Sequence, residues 1–326
     1  VTVTPPRPPF DAELAAELDA LAATLLTGTL SAEMIPALRV ARTPAGVERL
    51  VADAGVESRD VTIDGADGAA LRVSVLTPPG QRGPGPGIVH AHGGGMFMGT
   101  RWTGVPMLLP WLVEHGAVAV TVEYRLAPEH PDPIPVEDVY AALTWTAAHA
   151  AELGIDPDRL MIEGGSAGGG LAAGATLLAR DRGGPPLHAQ LLICPMLDDR
   201  DATVSTRQID GVGVWDRGSN RTGWTALLGD RRGGPDVSIY AAPARASDLS
   251  GLPPTFVDVG SAEVFRDECV AYAQGIWAAG GRAELHVWPG GYHGFDSLVP
   301  TAAVSRAAVA ARDAWVRRMI GQPQFS

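Results

Sequence analysis

Gly164-Gly165-Ser166-Ala167-Gly168 is the stretch on which the reading of this chain turns. It has the form G-x-S-x-G. An apolar run (Leu160, Met161, Ile162) precedes it and an Ala/Leu-rich, helix-like segment follows it. Strand, sharp turn and helix are the context that a nucleophile elbow requires. Such a turn strains the backbone at Ser166 and tolerates only small neighbours. It lifts the hydroxyl over the C-terminal edge of a sheet and aims the positive end of the next helix at it.

Working outward, strands and helices alternate. Short apolar strands are predicted at 88–90, 117–122, 160–162, 190–194, 255–259 and 284–288. Helices are predicted over 135–151, 167–180, 266–279 and 302–319. Continuous apolar strands separated by helices imply a mainly parallel sheet covered on both faces. Val61–Ile63 and Leu71–Leu76 alternate around Asp67-Gly68 and read as an antiparallel pair. The first ~50 residues are helical in pattern. Asp11 caps a stripe of Leu14, Leu18, Leu21 and Leu25. Residues 198 to about 247 break the rhythm: they are polar, charged and Gly-rich, with Trp215 and Trp224 embedded. A stretch of that length is an insertion with its own helix, or a lid.

Composition narrows the function. The 326 residues are 46% hydrophobic, enough for a large core within one α/β domain spanning 1–326. The net charge of -12 argues against nucleic acid and anionic membrane surfaces as partners. Every basic residue is arginine. Cys194 and Cys269 cannot make a disulfide framework, and both read as small buried residues. No C-x-x-C or H-E-x-x-H spacing is present, so neither a metal nor another cofactor is expected. No basic-then-apolar leader and no ~18-residue apolar run appear, so the expectation is a cytoplasmic protein without a membrane span.

A serine hydroxyl is a poor nucleophile until a base takes its proton. With this elbow the order along the chain is serine, acid, histidine. Of eight histidines only His293 follows the last predicted strand, in the loop Gly290-Gly291-Tyr292-His293-Gly294-Phe295. The acid belongs in the loop after the preceding strand, where Ser261-Ala262-Glu263 emerges; Glu263 is the assignment. It would fix the tautomer of His293 and stabilise the imidazolium. Its competitors are Asp258, within the strand, and Asp267 and Glu268, in the first turn of the next helix.

A tetrahedral oxyanion needs preorganised N–H donors. His92-Gly93-Gly94-Gly95-Met96 follows a strand and exposes backbone N–H groups. Gly94 and Gly95 are the expected donors, with Ala167 the third. The loop lacks the G-K-[S/T] ending of a phosphate loop. The G-x-G-x-x-A match at Gly168–Ala173 lies inside the helix rather than at the turn, against nucleotide binding. Met96, Phe97 and Met98, with Trp215 and Trp224, are candidate pocket walls.

His92-Gly93-Gly94-Gly95, Tyr124-Arg125-Leu126-Ala127-Pro128-Glu129, the elbow and His293-Gly294-Phe295 occur in an order and spacing that resemble the hormone-sensitive lipase family of α/β-hydrolases. Within it the chain resembles bacterial carboxylesterases of the heroin esterase group. The resemblance covers nearly everything after about residue 60. It implies an α/β-hydrolase fold with an eight-stranded sheet and a helical cap from about 1–50 and about 198–247. It also implies hydrolysis of short acyl or aryl esters, and a homodimer through the last strand and helix. Two positions depart from the family. Gly165 stands where an acidic residue is frequent, and Glu263-Val264 where Asp-Pro is usual. The segment 124–129 reads as scaffold bracing the glycine loop, with Arg125 and Glu129 as an ion pair. The expected function is a serine carboxylesterase acting through an acyl-enzyme. A deacetylase or amidase of a specialised metabolite would use the same triad. A non-catalytic small-ligand-binding protein on this fold is the third reading; such proteins typically lose a triad member.

Overall fold

The computed structural model describes residues 5–24, 28–41, 46–81 and 83–321. The described N-terminal residues carry helices α1 (Ala12–Thr24), α2 (Ile35–Ala41) and α3 (Val47–Asp53). Asp11 caps α1: its Oδ1 accepts from the N–H of Glu13 at 2.9 Å and of Leu14 at 3.3 Å. Leu14, Leu18 and Leu21 of the expected stripe share one apolar cluster. Leu25 lies outside the described residues.

Strands β1 (Glu57–Asp64) and β2 (Ala70–Thr77) then form the antiparallel pair predicted around Asp67-Gly68, with Asp64 opposite Ala70. The alternating part follows: β3 (Gly85–Ala91), α4 (Val105–His115), β4 (Val118–Val122), α5 (Ile134–Ala148), α6 (Ala150–Leu153), β5 (Ile155–Gly165), α7 (Ala167–Arg182) and β6 (Ala189–Ile193). The inserted stretch carries α8 (Val204–Gln208) and α9 (Arg217–Leu228). The chain ends with β7 (Thr255–Gly260), α10 (Arg266–Ala278), β8 (Ala283–Trp288), α11 (Phe295–Leu298) and α12 (Ala303–Ile320). The single helix expected over 135–151 is two, α5 and α6, separated at His149.

Among the described residues eight strands form one sheet in the order β1-β2-β4-β3-β5-β6-β7-β8. β2 runs antiparallel to β1 and β4, and every other pairing is parallel. Strands β4, β6 and β7 are buried at every position. Helices on both faces leave no wet side, so burial does not alternate along them, and even their polar residues, Thr121, Gln190, Thr255 and Asp258, are buried. Each fully buried Val, Leu or Ile there contributes roughly 1.5–3 kcal/mol. Because β3, β5, β7 and β8 are parallel, the loops leaving them gather at one edge of the sheet.

The N-terminal segment and the insertion are tied together. Thr29 Oγ1 donates to Asp216 at 2.6 Å, the Leu30 N–H to Ser219 Oγ at 2.9 Å, and Thr222 Oγ1 to the Leu30 carbonyl at 2.7 Å. Helix α1 also reaches the far end of the chain. Leu14 packs with Tyr292, Phe295, Val299 and Ala308, and the Asp11 N–H donates to the Gly290 carbonyl at 3.1 Å.

Candidate active site

Ser166 caps α7 with φ 56° and ψ −122°, a conformation that L-residues rarely adopt. Its backbone is clamped to the neighbouring strand: the Ser166 N–H donates to the Ile193 carbonyl at 2.8 Å, and Met196 N–H to the Ser166 carbonyl at 3.0 Å. The flanking glycines are steric requirements. A Cβ on Gly164 would lie 2.3 Å from the Gly168 carbonyl oxygen, and one on Gly168 would lie 1.9 Å from the Ala91 oxygen. Gly165 differs. A Cβ there would meet nothing nearer than 3.9 Å, so packing does not demand glycine.

From Ser166 a hydrogen-bonded chain runs inward. His293 Nε2 lies 3.0 Å from Ser166 Oγ, and His293 Nδ1 lies 3.1 Å from Glu263 Oε1. The other oxygen of Glu263 accepts from the Gly260 N–H at 3.1 Å, so the carboxylate is fixed at both ends. Glu263 is buried and His293 largely so. The competing acids are engaged elsewhere. Asp258 is buried against Arg312 at 2.9 Å. Asp267 pairs with Arg266 and accepts from the Ser205 N–H. Glu268 accepts from the N–H groups of Leu197 and Asp198, and burial pushes its carboxyl well above the usual range.

The glycine loop lies beside this chain. Gly94 turns at φ 127° and Gly95 at φ 61°, and a Cβ on Gly95 would stand 2.3 Å from the Trp215 ring. Ala167 opens α7, so its N–H has no acceptor within the helix. The loop is braced from behind. His92 stacks on Tyr124 at 4.0 Å, and the Tyr124 hydroxyl donates to the His92 carbonyl at 2.8 Å. Burial lowers His92 to about 3, so its ring is neutral, with Nδ1 2.8 Å from the Gly93 carbonyl. The Ala127 N–H donates to the Met96 carbonyl at 3.0 Å. The expected Arg125–Glu129 pair does not form. Arg125 instead bridges Asp67 and the fully buried Asp138, while Glu129 pairs with Arg39. Arg39 also donates to the Phe97 and Ala127 carbonyls at 2.8 and 2.9 Å, locking segment 124–129 to the loop.

Two chambers meet at Ser166 and His293. The smaller, about 190 Å³, is lined by Gly93–Gly95, Met98, Thr103, Val214 and Trp215. The larger, about 460 Å³, is lined by Thr103, Pro106, Met107, Gly165, Ile193, Asp296 and their neighbours. Of the residues expected as walls, Met98 and Trp215 line the smaller chamber. Met96, Phe97 and Trp224 are buried in the core and line neither chamber. Apolar character suits a core and a pocket equally. The larger chamber has an unanticipated member. His90 and Glu163 are opposite one another on β3 and β5, with Nδ1 and Oε2 2.5 Å apart. Glu163, two residues before Gly165 on one strand, and His90, two before His92 on another, were the signal available in the sequence.

Cys194 Sγ also lies near the chain, with ligand atoms of Cys194, Glu263 and His293 within 4.8 Å of one another. Burial raises the Cys194 thiol well above its usual range, which keeps its proton on. Both ring nitrogens of His293 are already engaged. This donor set suits proton transfer better than metal ligation.

An eight-stranded, mostly parallel sheet with a strained serine between strand and helix defines an α/β-hydrolase. Residues 88–297 match the family model described as alpha/beta hydrolase fold, and the chain belongs to that family. It is 40% identical to a bacterial heroin esterase, with a TM-score of 0.88 covering 95% of this chain and 98% of that one. It is 38% identical over 308 residues to the carboxylesterase NlhH of Mycobacterium tuberculosis, covering 91% of this chain and 93% of its relative. Esterase LipW from Mycobacterium marinum is 32% identical, with a TM-score of 0.80 covering 96% and 98% of the two chains. The resemblance to the heroin esterase group carried by the motifs therefore extends over almost the whole length. Among the described residues, no helix is long and apolar enough to cross a membrane.

Proposed function

We propose that this carboxylic ester hydrolase cleaves short-chain acyl or aryl esters through an acyl-enzyme formed on Ser166. The observation that carries the reading is the unbroken contact from Ser166 Oγ through His293 to Glu263, beside the glycine loop Gly93–Gly95. Ser166 Oγ attacks the ester carbonyl while His293 Nε2 takes its proton. The Nδ1–H of His293 points at Glu263, whose negative charge stabilises the imidazolium. The developing oxyanion is received by the N–H groups of Gly94, Gly95 and Ala167. Collapse expels the alcohol, which leaves with the proton from His293. Water then attacks the acyl carbonyl with His293 again as base, which frees the acid and restores Ser166. Protein groups and water suffice for every step.

In this reading residues 1–326 form one domain. The described parts of 1–50 and 198–247 act as a cap, with Val214 and Trp215 as the insertion's contribution to the smaller chamber. The outer edge of β8 ends the sheet and carries exposed Val287, which suits strand pairing in a homodimer; molar mass by light scattering tests that pairing. The mechanism is tested with p-nitrophenyl esters of graded acyl length. Wild-type protein should release nitrophenol in a burst followed by steady turnover, and Ser166→Ala should show neither. Undiminished hydrolysis by Ser166→Ala would sink it.

A further inference from the structure

The His90–Glu163 pair takes no part in the reaction just described, yet both residues line the larger chamber with Ser166 and His293. Its proton arrangement is constrained. His90 Nε2 lies 2.8 Å from the Thr103 carbonyl, which can only accept, so Nε2 always carries a hydrogen. A single further proton is shared between Nδ1 and Glu163 Oε2, across 2.5 Å. Wherever that proton sits, the second oxygen, Oε1, is an acceptor. Glu163 is fully buried, and among the described residues nothing donates to Oε1. Buried polar atoms are ordinarily partnered, so one that lines a cavity next to a nucleophile asks for a donor from what enters.

Glu163 stands in the chamber wall with its carboxylate covered. Side chains alternate along a strand, so Glu163 and Gly165 of β5 share a face. Gly165 has room for a side chain and carries none. Pro106, Met107 and Ile193 provide apolar wall. Asp296 is committed to Arg312 at 2.9 Å.

We infer that the larger chamber is a subsite for an ester half that ends in a hydrogen-bond donor, a hydroxyl or an ammonium, with Glu163 Oε1 as the acceptor and His90 as the group that orients it. The inference rests on the ester hydrolase reading. The apolar walls hold the methylenes, and the buried acceptor discriminates against the plain alkyl ester, because leaving it unpaired is unfavourable.

The test is a ratio of kcat/KM values within matched pairs. p-Nitrophenyl hexanoate is compared with its ω-hydroxy and ω-amino counterparts, and butyl butyrate with hydroxybutyl and aminobutyl butyrate, so that either half of the ester can occupy the chamber. Wild-type protein should prefer a donor-bearing ester by about tenfold or more in one of the two series. Glu163→Met removes the acceptor and should bring that ratio to near one. Glu163→Gln distinguishes the donors. With neutral His90 keeping its proton on Nε2, the amide N–H satisfies Nδ1 and the amide oxygen faces the chamber. The hydroxyl preference should then survive, while any ammonium preference that depends on negative charge should fall. Gly165→Val obstructs the chamber without touching Glu163 and should also abolish the preference, which keeps the test decisive if Glu163→Met does not fold. Ratios near one in both series with an active wild-type enzyme, or ratios unchanged by both Glu163→Met and Gly165→Val, overturn the inference. Those outcomes leave the triad untouched, whereas full activity in Ser166→Ala would remove the reading beneath it.

Discussion

Replacing Glu263 by glutamine is nearly isosteric, yet the structure predicts a large effect. The two oxygens of Glu263 have different partners: Oε1 faces His293 Nδ1 and Oε2 accepts from the Gly260 N–H. A glutamine must choose. With its oxygen on the Gly260 N–H, its NH₂ faces His293, so Nδ1 must accept and the ring proton moves to Nε2. That tautomer cannot take the Ser166 proton. The opposite flip restores the tautomer but sets an NH₂ against the Gly260 N–H in a buried site, which costs roughly 1–3 kcal/mol for the unsatisfied donor. Either way the negative charge that supports the imidazolium is gone. A wrong tautomer in a serine triad lowers kcat by about 10⁴, or roughly 5.5 kcal/mol of transition-state stabilisation. We expect a loss of that order for Glu263→Gln in steady-state hydrolysis of p-nitrophenyl butyrate, with KM little changed. A thermal melt within a few degrees of wild type would establish that the fold is intact. Wild-type turnover in a folded Glu263→Gln protein would refute the assignment and return attention to Asp258, the other acid buried near the end of β7.

Other consequences are equally accessible. Gly95→Ala would place a methyl 2.3 Å from the Trp215 ring at φ 61°, so kcat should fall at least about tenfold as the loop donors shift, and a second change of Trp215→Leu should recover part of it. Arg39→Met removes the donors to the Phe97 and Ala127 carbonyls; we expect roughly 1–3 kcal/mol of lost stability in urea, with reduced kcat, and an unchanged midpoint would argue against the brace. For His90, burial is the largest influence and opposes the charged ring, but the charge and hydrogen bond of Glu163 outweigh it, so the folded value is raised. The resulting stabilisation is complete below the unfolded histidine value of about 6.5 and is lost as pH rises through the higher folded value. The melting-temperature gap between wild type and His90→Asn should therefore be widest in mild acid and shrink toward alkaline pH, and a gap independent of pH would contradict the ionised pair.

The alternation of strands and helices, the β1–β2 hairpin and the elbow were legible because each rests on a local pattern. Ser166 was placed by its elbow motif, and Glu263 and His293 by chain order, since parallel strands deliver their C-terminal loops to one edge. Partnership at a distance was not legible. Arg125 and Glu129 sit close in sequence, but Arg125 finds Asp67 and Asp138 and Glu129 finds Arg39. The start of β5 was hidden by Asp156, Asp158 and Arg159, which interrupt the apolar pattern between Ile155, opposite Gly85, and Leu160, opposite Gly87, where the register shifts. Met96, Phe97 and Trp224 show the limit of residue type, which records a preference for apolar surroundings but not whether those surroundings are core or cavity. His90 and Glu163 become a pair only once β3 and β5 are neighbours.

Helix α1 gives the His293 loop its footing from almost the opposite end of the chain. Besides Asp11 on Gly290 and Leu14 on Tyr292, Glu13 accepts from the Ala303 N–H, 290 positions away. Contacts between such distant residues close large loops, and their entropic cost is met late, when most of the sheet already exists. A refolding molecule would therefore regain its secondary structure and tryptophan burial before its histidine is seated. Recovery of hydrolysis should lag behind recovery of circular dichroism, and on gentle heating catalytic competence should be lost ahead of the main melt.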